Sequence, residues 1–324
     1  MLTAYRLTDR QPDPLARGDA GEVPDGAAWV DLVNPTTAED AVTEAFLGVD
    51  LPTLEESREI EFSSRFYVEG DAIFMTASLL TGVEKGEPIL SPMTIVIAGE
   101  RIVTLRYEDF RAVKQFLALA DKPGGHCDRV PMVFVVLLEA IVDRAADVIE
   151  QVAANVDRLN SEIFTRRSKR RRERSLEEVI SDIGTQDDIA AKTRESLASL
   201  ERLVRYASLV LPADFDKGPT RGRLKLAGRD IQSLEAHITF LSSKINFLLD
   251  ATLGLISVEQ NEVIRVLTIV ATFFFPPTLI GTVYGMNFKY IPELDWAWSY
   301  PIVLATMALS ALLPFYYFKR KGWL

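Results

Sequence analysis

The segment Tyr284–Trp296, YGMNFKYIPELDW, lies between the only two stretches of this chain apolar enough to cross a membrane. It brings an unhindered backbone (Gly285), a thioether (Met286) and an amide (Asn287) to the mouth of one apolar helix. Two carboxylates, Glu293 and Asp295, follow in the short loop. Upstream, Thr268, Thr272, Thr278 and Thr282 carry hydroxyls into the apolar stretch itself. Helical spacing puts Ile264, Leu267, Thr268, Ala271, Phe275, Thr278 and Thr282 on one broad face. Polar side chains inside a span face other helices or water. This is the chemistry of neutral oxygen groups and hydrogen bonds. No phosphate loop, nucleophile triad or metal-ligand cluster is present, so the chain does not read as an enzyme. The one cysteine, Cys127, stands beside His126, one of two histidines; no intramolecular disulfide can form, and no zinc spacing occurs.

Two elements must hold this segment. Val266–Tyr284 (VLTIVATFFFPPTLIGTVY) and Tyr300–Phe318 (YPIVLATMALSALLPFYYF) carry no charge. Each is long enough for about 30 Å of hydrocarbon. The basic run Lys319–Lys321 follows the second span and Arg265 precedes the first, while the loop between them sets Lys289 against Glu293 and Asp295. The positive-inside rule puts both termini in the cytoplasm and the loop outside. Pro276-Pro277 and the threonines make the first span unlike a simple anchor. The second is blander and suits an outer, lipid-facing place. Two helices cannot enclose a pore, so a pore requires several copies in a ring.

The remaining chain is charged. Its 324 residues leave room for two or more domains, and the formal net charge of −10 argues against a nucleic-acid partner and favours cations near the surface. The start, MLTAYRLTDRQPDPL, lacks the pattern of a signal peptide. Residues 1 to about 120 read as α/β. Strands are expected at Ala28–Val33, Arg65–Val68, Ala72–Leu80, Pro92–Ile97 and Val103–Tyr107, the last two paired across Ala98-Gly-Glu-Arg101. Helices are expected at Thr37–Gly48, capped by Thr37, and at Phe110–Ala120. Asp121–Gly125 breaks the pattern.

Long helices then follow, from Pro131 to about Arg167 and from Leu176 to Leu209, as an antiparallel hairpin. Its tip, Arg166–Arg174, is strongly basic, which fits either a solvated hinge or an anion site. A third helix begins near Leu224. Apolar residues recur in it at Ile231, Leu234, Ile238, Leu241, Ile245 and Leu248, in alternating steps of three and four. That heptad seam asks for a partner, either the preceding hairpin or copies of itself. No clear breaker separates it from the first span, so a stalk helix runs into the membrane; Ile231–Tyr284 alone would be roughly 80 Å long. The expected organisation is α+β: a cytoplasmic α/β domain (1–125), a long helix pair (126–222), a stalk helix (223–262) and a two-span domain (263–324). Within the last, the spans cover about 263–284 and 300–318, with an external loop at 285–299.

YGMNF after a span, then PEL, an aromatic turn, a second span and the ending YFKRKGWL resemble the CorA family of magnesium transporters, most strongly over about Asn246–Leu324. FPPTL and FKRKGWL are most similar to its proteobacterial branch. The resemblance implies a homopentamer in the bacterial inner membrane, with the first span of each copy lining one pore. Gly285, Met286 and Asn287 would form the signature at its outer mouth. Mg²⁺ surrenders its water reluctantly, so a ring of Asn287 amide oxygens would bind the waters of a hydrated ion, where a carboxylate ring would hold it too tightly for release. Gly285 would supply backbone geometry closed to other residues. Glu293 and Asp295 would draw cations to the entrance, Thr278 and Thr282 would offer hydroxyls, and Ile264, Leu267, Ala271 and Phe275 would line or gate the path.

The family also implies regulation by cytoplasmic Mg²⁺ between subunits. Glu84 and Glu87 lie near one matching acidic segment and Asp230 near the other, although Arg229 takes the expected stalk position and the basic tip departs from the acidic one of relatives. Co²⁺ and Ni²⁺ would follow Mg²⁺. Two other readings remain open at this point: the proton-coupled zinc transporters of the same superfamily, and a membrane-anchored scaffold without transport.

Overall fold

The computed structural model describes every residue except 9–11, 18–21, 121–126, 166–174, 213–214, 216–218, 288, 290 and 323–324. The basic tip Arg166–Arg174, the breaker at Asp121–Gly125 and His126 therefore lie outside the described residues. Contacts divide the chain into two units, Met1–Leu249 and Asp250–Leu324.

The first unit begins with strands β1 (Leu2–Leu7), β2 (Pro12–Arg17) and β3 (Trp29–Val33), then helices α1 (Thr37–Leu47), α2 (Leu54–Arg58) and α3 (Phe62–Arg65). Strands β4 (Phe66–Glu69), β5 (Ala72–Thr81), β6 (Ile89–Ala98) and β7 (Arg101–Arg106) follow, and then helix α4 (Arg111–Ala120). The strands form one sheet in the order β2-β1-β3-β7-β6-β5-β4. Among the described residues only β3 and β7 pair in parallel; the expected β6–β7 hairpin turns through Gly99 at φ +56°. The β1–β2 hairpin was not anticipated, because the two prolines of PDPLAR argue against a strand; β2 tolerates them at the sheet edge. The α1 cap is Thr36 rather than Thr37. Only Thr36 stands three residues before Glu39, and the two residues exchange side-chain-to-backbone hydrogen bonds as a capping box.

Period-two alternation decides what each face of the sheet covers. Ile73, Met75, Ala77 and Leu79 of β5 join Met93, Ile95 and Ile97 of β6 in the core shared with the long helices. Ala72, Phe74 and Val96 face the other way, toward Leu47 and the apolar side of α1. Strand β4 pairs only with Ala72–Met75, so further along β5 two backbone N–H groups need other partners. Ser78 N donates to Ser199 Oγ at 2.9 Å and Leu80 N to Ser196 Oγ at 3.3 Å. Both serines belong to α6 (Leu176–Val210). Across β3 and β7 a buried Arg106 donates to both oxygens of Asp31, at 3.1 and 2.8 Å, and Thr104 Oγ1 donates to Asp31 at 2.7 Å. A buried ion pair of this kind needs such full hydrogen bonding to offset desolvation.

Helices α5 (Val130–Thr165) and α6 form the expected hairpin. Helix α7 (Thr220–Tyr284) is a single helix of 65 residues. Its seam residues Ile231, Ile238, Leu241, Ile245 and Leu248 are buried in the same core as Val156, Leu159, Val179 and Ile183 of the hairpin. The seam's partner is thus the preceding hairpin. Lys244 donates to Asp157 at 2.5 Å, Gln232 to Glu201 at 3.2 Å, and Phe164 stacks on Phe247.

In the second unit the end of α7 is followed by a 3-10 turn, Pro292–Asp295, and by α8 (Ser299–Arg320). Both helices are long and apolar enough to cross a membrane, and almost none of either apolar window is buried.

Candidate functional site

Helix α8 takes one side of α7 and leaves the other open. Phe273 meets Phe315 edge-on at 5.7 Å, and Ile269 is buried. Gly281 admits Met307: a Cβ there would stand 3.2 Å from Met307 Cε. In the sequence Gly281 shows only as a lone small residue inside a span, too weak a signal to mark a packing site. At 100° per residue, Ile269, Phe273, Ile280 and Tyr284 point opposite to the predicted face. On that predicted face Ile264, Leu267 and Phe275 are 59%, 67% and 69% exposed, and Ala271, Thr278 and Thr282 are exposed as well. One chain therefore carries the stripe without covering it.

The threonines on this helix have a common geometry. Thr278 Oγ1 donates to the Phe274 carbonyl at 2.6 Å and Thr282 Oγ1 to the Thr278 carbonyl at 2.7 Å. Thr268 and Thr272 do the same one turn back each. A hydroxyl has one proton and two lone pairs. With the proton committed to the helix, each oxygen presents acceptor character to its surroundings, and the waters around a cation turn their hydrogens outward. Pro276 and Pro277 lack N–H groups, so the carbonyls of Thr272 and Phe273 have no backbone donor four residues on.

Gly285 closes the helix. Its N–H bonds to the carbonyls of Gly281 at 2.9 Å and Thr282 at 3.2 Å, and Met286 N bonds to Val283 O at 3.4 Å. The last turn thus tightens toward i→i−3 bonding. Left-handed backbone at Gly285, expected from the sequence, is not found; its φ lies outside the positive range. What favours glycine here is space: a Cβ would lie 3.1 Å from the Gly281 carbonyl oxygen, a tight contact. Met286 and Asn287 follow, both exposed. In the loop, Glu293 is exposed and its carbonyl accepts from Trp296 N at 3.3 Å. The Asp295 side chain lies outside the described residues. Trp296, Trp298 and Tyr300 are exposed around the start of α8, the residue types of a membrane–water boundary.

The three carboxylates expected to sense cytoplasmic cations fall in different places. Glu84, in a 3-10 turn between β5 and β6, accepts from Arg111 at 2.9 Å and also from Arg144 of α5. Burial works most strongly against its charge; a backbone hydrogen bond and the two arginines outweigh it and hold the carboxyl below the ordinary glutamate value. Glu87 is exposed after the same turn. Asp230 is exposed on α7, near Asp143 of α5. The Asp143 carboxyl is pushed up, first by burial and then by the negative charges of Glu139, Asp147 and Asp230. Glu139, Asp143 and Asp147 repeat every four residues along α5, a stripe legible in the sequence spacing. Among the described residues no three His, Cys, Asp or Glu side chains converge closely enough to hold a metal. Cys127 is buried, and burial pushes its thiol up to about 11, which leaves it an unreactive core residue.

Comparison with known proteins matches this whole arrangement. The family model for CorA-like Mg²⁺ transporter proteins covers residues 24–320. The Magnesium transport protein CorA of Pasteurella multocida is 30% identical over 325 residues, and that of Salmonella typhimurium 31% over 324, each across all of both chains. Among solved structures, the complete CorA magnesium transporter from Methanocaldococcus jannaschii superposes with a TM-score of 0.75 at 17% identity, covering 100% of this chain and 99% of its own. The full-length CmaX protein gives 0.69 at 15% identity, over 98% and 96%. The ZntB cytoplasmic domain of Vibrio parahaemolyticus gives 0.56 at 10%, over 78% and 96%. At such identities the structures establish the fold, and the family model and full-length relatives establish the lineage: the chain belongs to the family of CorA-like Mg²⁺ transporter proteins.

Proposed function

We propose that this chain carries Mg²⁺ into the cell as a homopentamer in a bacterial inner membrane, with both termini cytoplasmic. The observation that carries the reading is the family match running unbroken from the soluble unit through both spans. The open face of α7 supports it. Five copies would turn Ile264, Leu267, Ala271, Phe275, Thr278 and Thr282 toward one axis, with α8 outside. Gly285 lets the helix close tightly, Met286 follows, and Asn287 stands at the mouth as a neutral acceptor for the waters of a hydrated ion. Thr278 and Thr282, their protons already donated, continue as acceptors. Ile264, Leu267 and Phe275 make apolar rings that close the path when water leaves it. Glu293 and Asp295 concentrate cations at the entrance. The membrane potential drives the step at about 2.3 kcal/mol per charge per 100 mV, and about twice that for a divalent ion. Co²⁺ and Ni²⁺ are carried as hydrated ions of similar size.

Closure by cytoplasmic Mg²⁺ belongs to the same proposal, with Glu84, Glu87 and Asp230 as ligands between copies. Burial is the main reason that Asp143 is pushed up, and the neighbouring charges of Glu139, Asp147 and Asp230 add to it; that cluster of carboxylates supports a cation near Asp230. Glu84 would have to release Arg111 and Arg144 to take part. In liposomes, Mg²⁺ influx through the wild type and its loss in Asn287→Ala is the expected result. Zn²⁺ influx following a proton gradient, without Mg²⁺ influx, would move the chain to the zinc-transporting reading. No flux of either ion through folded oligomer would leave a scaffold.

A further inference from the structure

Glu84 holds two arginines with one oxygen. Its Oε1 accepts from Arg111 Nη1 at 2.9 Å and also from Arg144 Nη2. The two partners differ in what happens when the carboxylate turns away. The Arg111 side chain is 59% exposed, so water can take over its charge. The Arg144 side chain is only 16% exposed, and a cation left buried without a partner is strongly unfavourable. It has a second acid within reach, however. Asp147, three residues on along α5, lies 3.8 Å from Arg144 Nη1. Both arginines can therefore release Glu84 without leaving a buried charge unpaired.

The turn that carries Glu84 suits such an exchange. Val83–Lys85 stands between Gly82 and Gly86, both with left-handed backbone. The Gly82 carbonyl accepts from Lys85 N and Glu87 N, which fixes the backbone, so Glu84 can change partners by its side chain alone. Glu84, Arg111 and Arg144 line a cavity of about 40 Å³, room for water but for no organic ligand. The space thus admits a small cation as the rival of the two guanidinium groups. We propose that Arg111 and Arg144 form a lock that competes with cytoplasmic Mg²⁺ for Glu84, and so sets the Mg²⁺ concentration at which this carboxylate becomes a ligand. The inference rests on the reading of Glu84 as such a ligand. A carboxylate held on arginine most of the time has its apparent affinity for a cation reduced by the fraction left free.

The test is a Mg²⁺ titration of the full-length protein in detergent, read as the rise of its thermal midpoint and reported as the half-saturating concentration. Wild type is compared with Arg111→Gln, Arg144→Gln, Glu84→Gln and the double variant Arg111→Gln/Glu84→Gln. Lys114→Gln controls for net charge, because it removes a neighbouring cation that pairs with Asp109 and leaves Glu84 untouched. The half-saturating concentration should fall by about two- to fivefold in Arg111→Gln, the range that an exposed ion pair can hold back. It should fall at least as far in Arg144→Gln, rise in Glu84→Gln and stay put in Lys114→Gln. Arg111→Gln should add nothing once Glu84 is replaced. An unchanged value in Arg111→Gln beside a raised one in Glu84→Gln overturns the lock and leaves Glu84 a ligand. Equal falls in Arg111→Gln and Lys114→Gln reduce the effect to net charge and overturn the lock as well. An unchanged value in Glu84→Gln overturns the reading of Glu84 as a ligand, and the lock with it. Arg111 is exposed, so its variant decides the matter even where Arg144→Gln fails to fold.

Discussion

Two glycines show how much a single position decides. Gly82 sits where no side chain fits, and at Gly285 a side chain would be tight, for different reasons. At Gly285 the helix stays right-handed and a Cβ would crowd the Gly281 carbonyl. At Gly82 the backbone is left-handed, with φ +78°, and a Cβ would fall 2.1 Å from the Glu87 carbonyl oxygen. The Gly82 carbonyl also accepts from Lys85 N at 3.0 Å and Glu87 N at 3.2 Å, so the turn between β5 and β6 folds back on this residue. Gly82→Ala is expected to destabilise the soluble unit by at least about 2 kcal/mol, measured by chemical denaturation. An unchanged midpoint would show that the turn has another conformation. Gly285 was visible in the sequence as part of GMN, but the reason for it was not. A glycine at a helix end suggests left-handed backbone, and only the carbonyl opposite it reveals steric crowding instead.

Among the elements, α7 shows how one helix changes partners along its length. Its seam from Ile231 to Leu248 is buried against α5 and α6, while beyond Ile269 the buried side belongs to α8. The three-four spacing announced the seam. It could not say whether the partner was the hairpin or another copy, because both offer the same apolar surface to a heptad. Ile238 is fully buried there, so Ile238→Ala is expected to cost about 2–5 kcal/mol, read as a lower thermal midpoint of the soluble unit. A loss under 1 kcal/mol would mean that the site collapses around the smaller side chain. The β1–β2 hairpin is the counterexample. Its pairing is long-range and its prolines are tolerated only because β2 is an edge strand.

For the molecule as a whole, charge is arranged by tertiary contact. Arg111 and Arg144 come from two different helices to Glu84 in a turn, tying the sheet to α4 and α5. The Glu84 carboxyl is held below its ordinary value of 4.5. Its stabilising effect is therefore fully present above that value and is lost as pH falls through the lowered one. Glu84 is 43% exposed, so solvent screening limits the effect to about 1 kcal/mol or less. Glu84→Gln should lower the denaturation midpoint at pH 7 without added Mg²⁺, and the difference should disappear in acid. A difference that persists in acid would assign it to packing. The proposed ring of copies predicts that Leu267→Cys, in a Cys127→Ser background, cross-links between subunits on mild oxidation, whereas Leu304→Cys on α8 does not. Equal cross-linking at both would place the wrong face at the axis.

Local patterns sufficed for much of this protein. Two charge-free runs of span length, a three-four seam, alternating strands and the GMN–PEL wording are short-range features, and each survives in the folded chain as a span, a buried stripe, a sheet or a helix mouth. Tertiary structure alone decided the rest. It chose the hairpin as the partner of the seam, put α8 opposite the threonine stripe and gave Glu84 two arginines. Those outcomes depend on which residues meet across more than 25 positions of chain. Spacing along a helix or strand fixes the direction of a side chain, but not what stands in front of it.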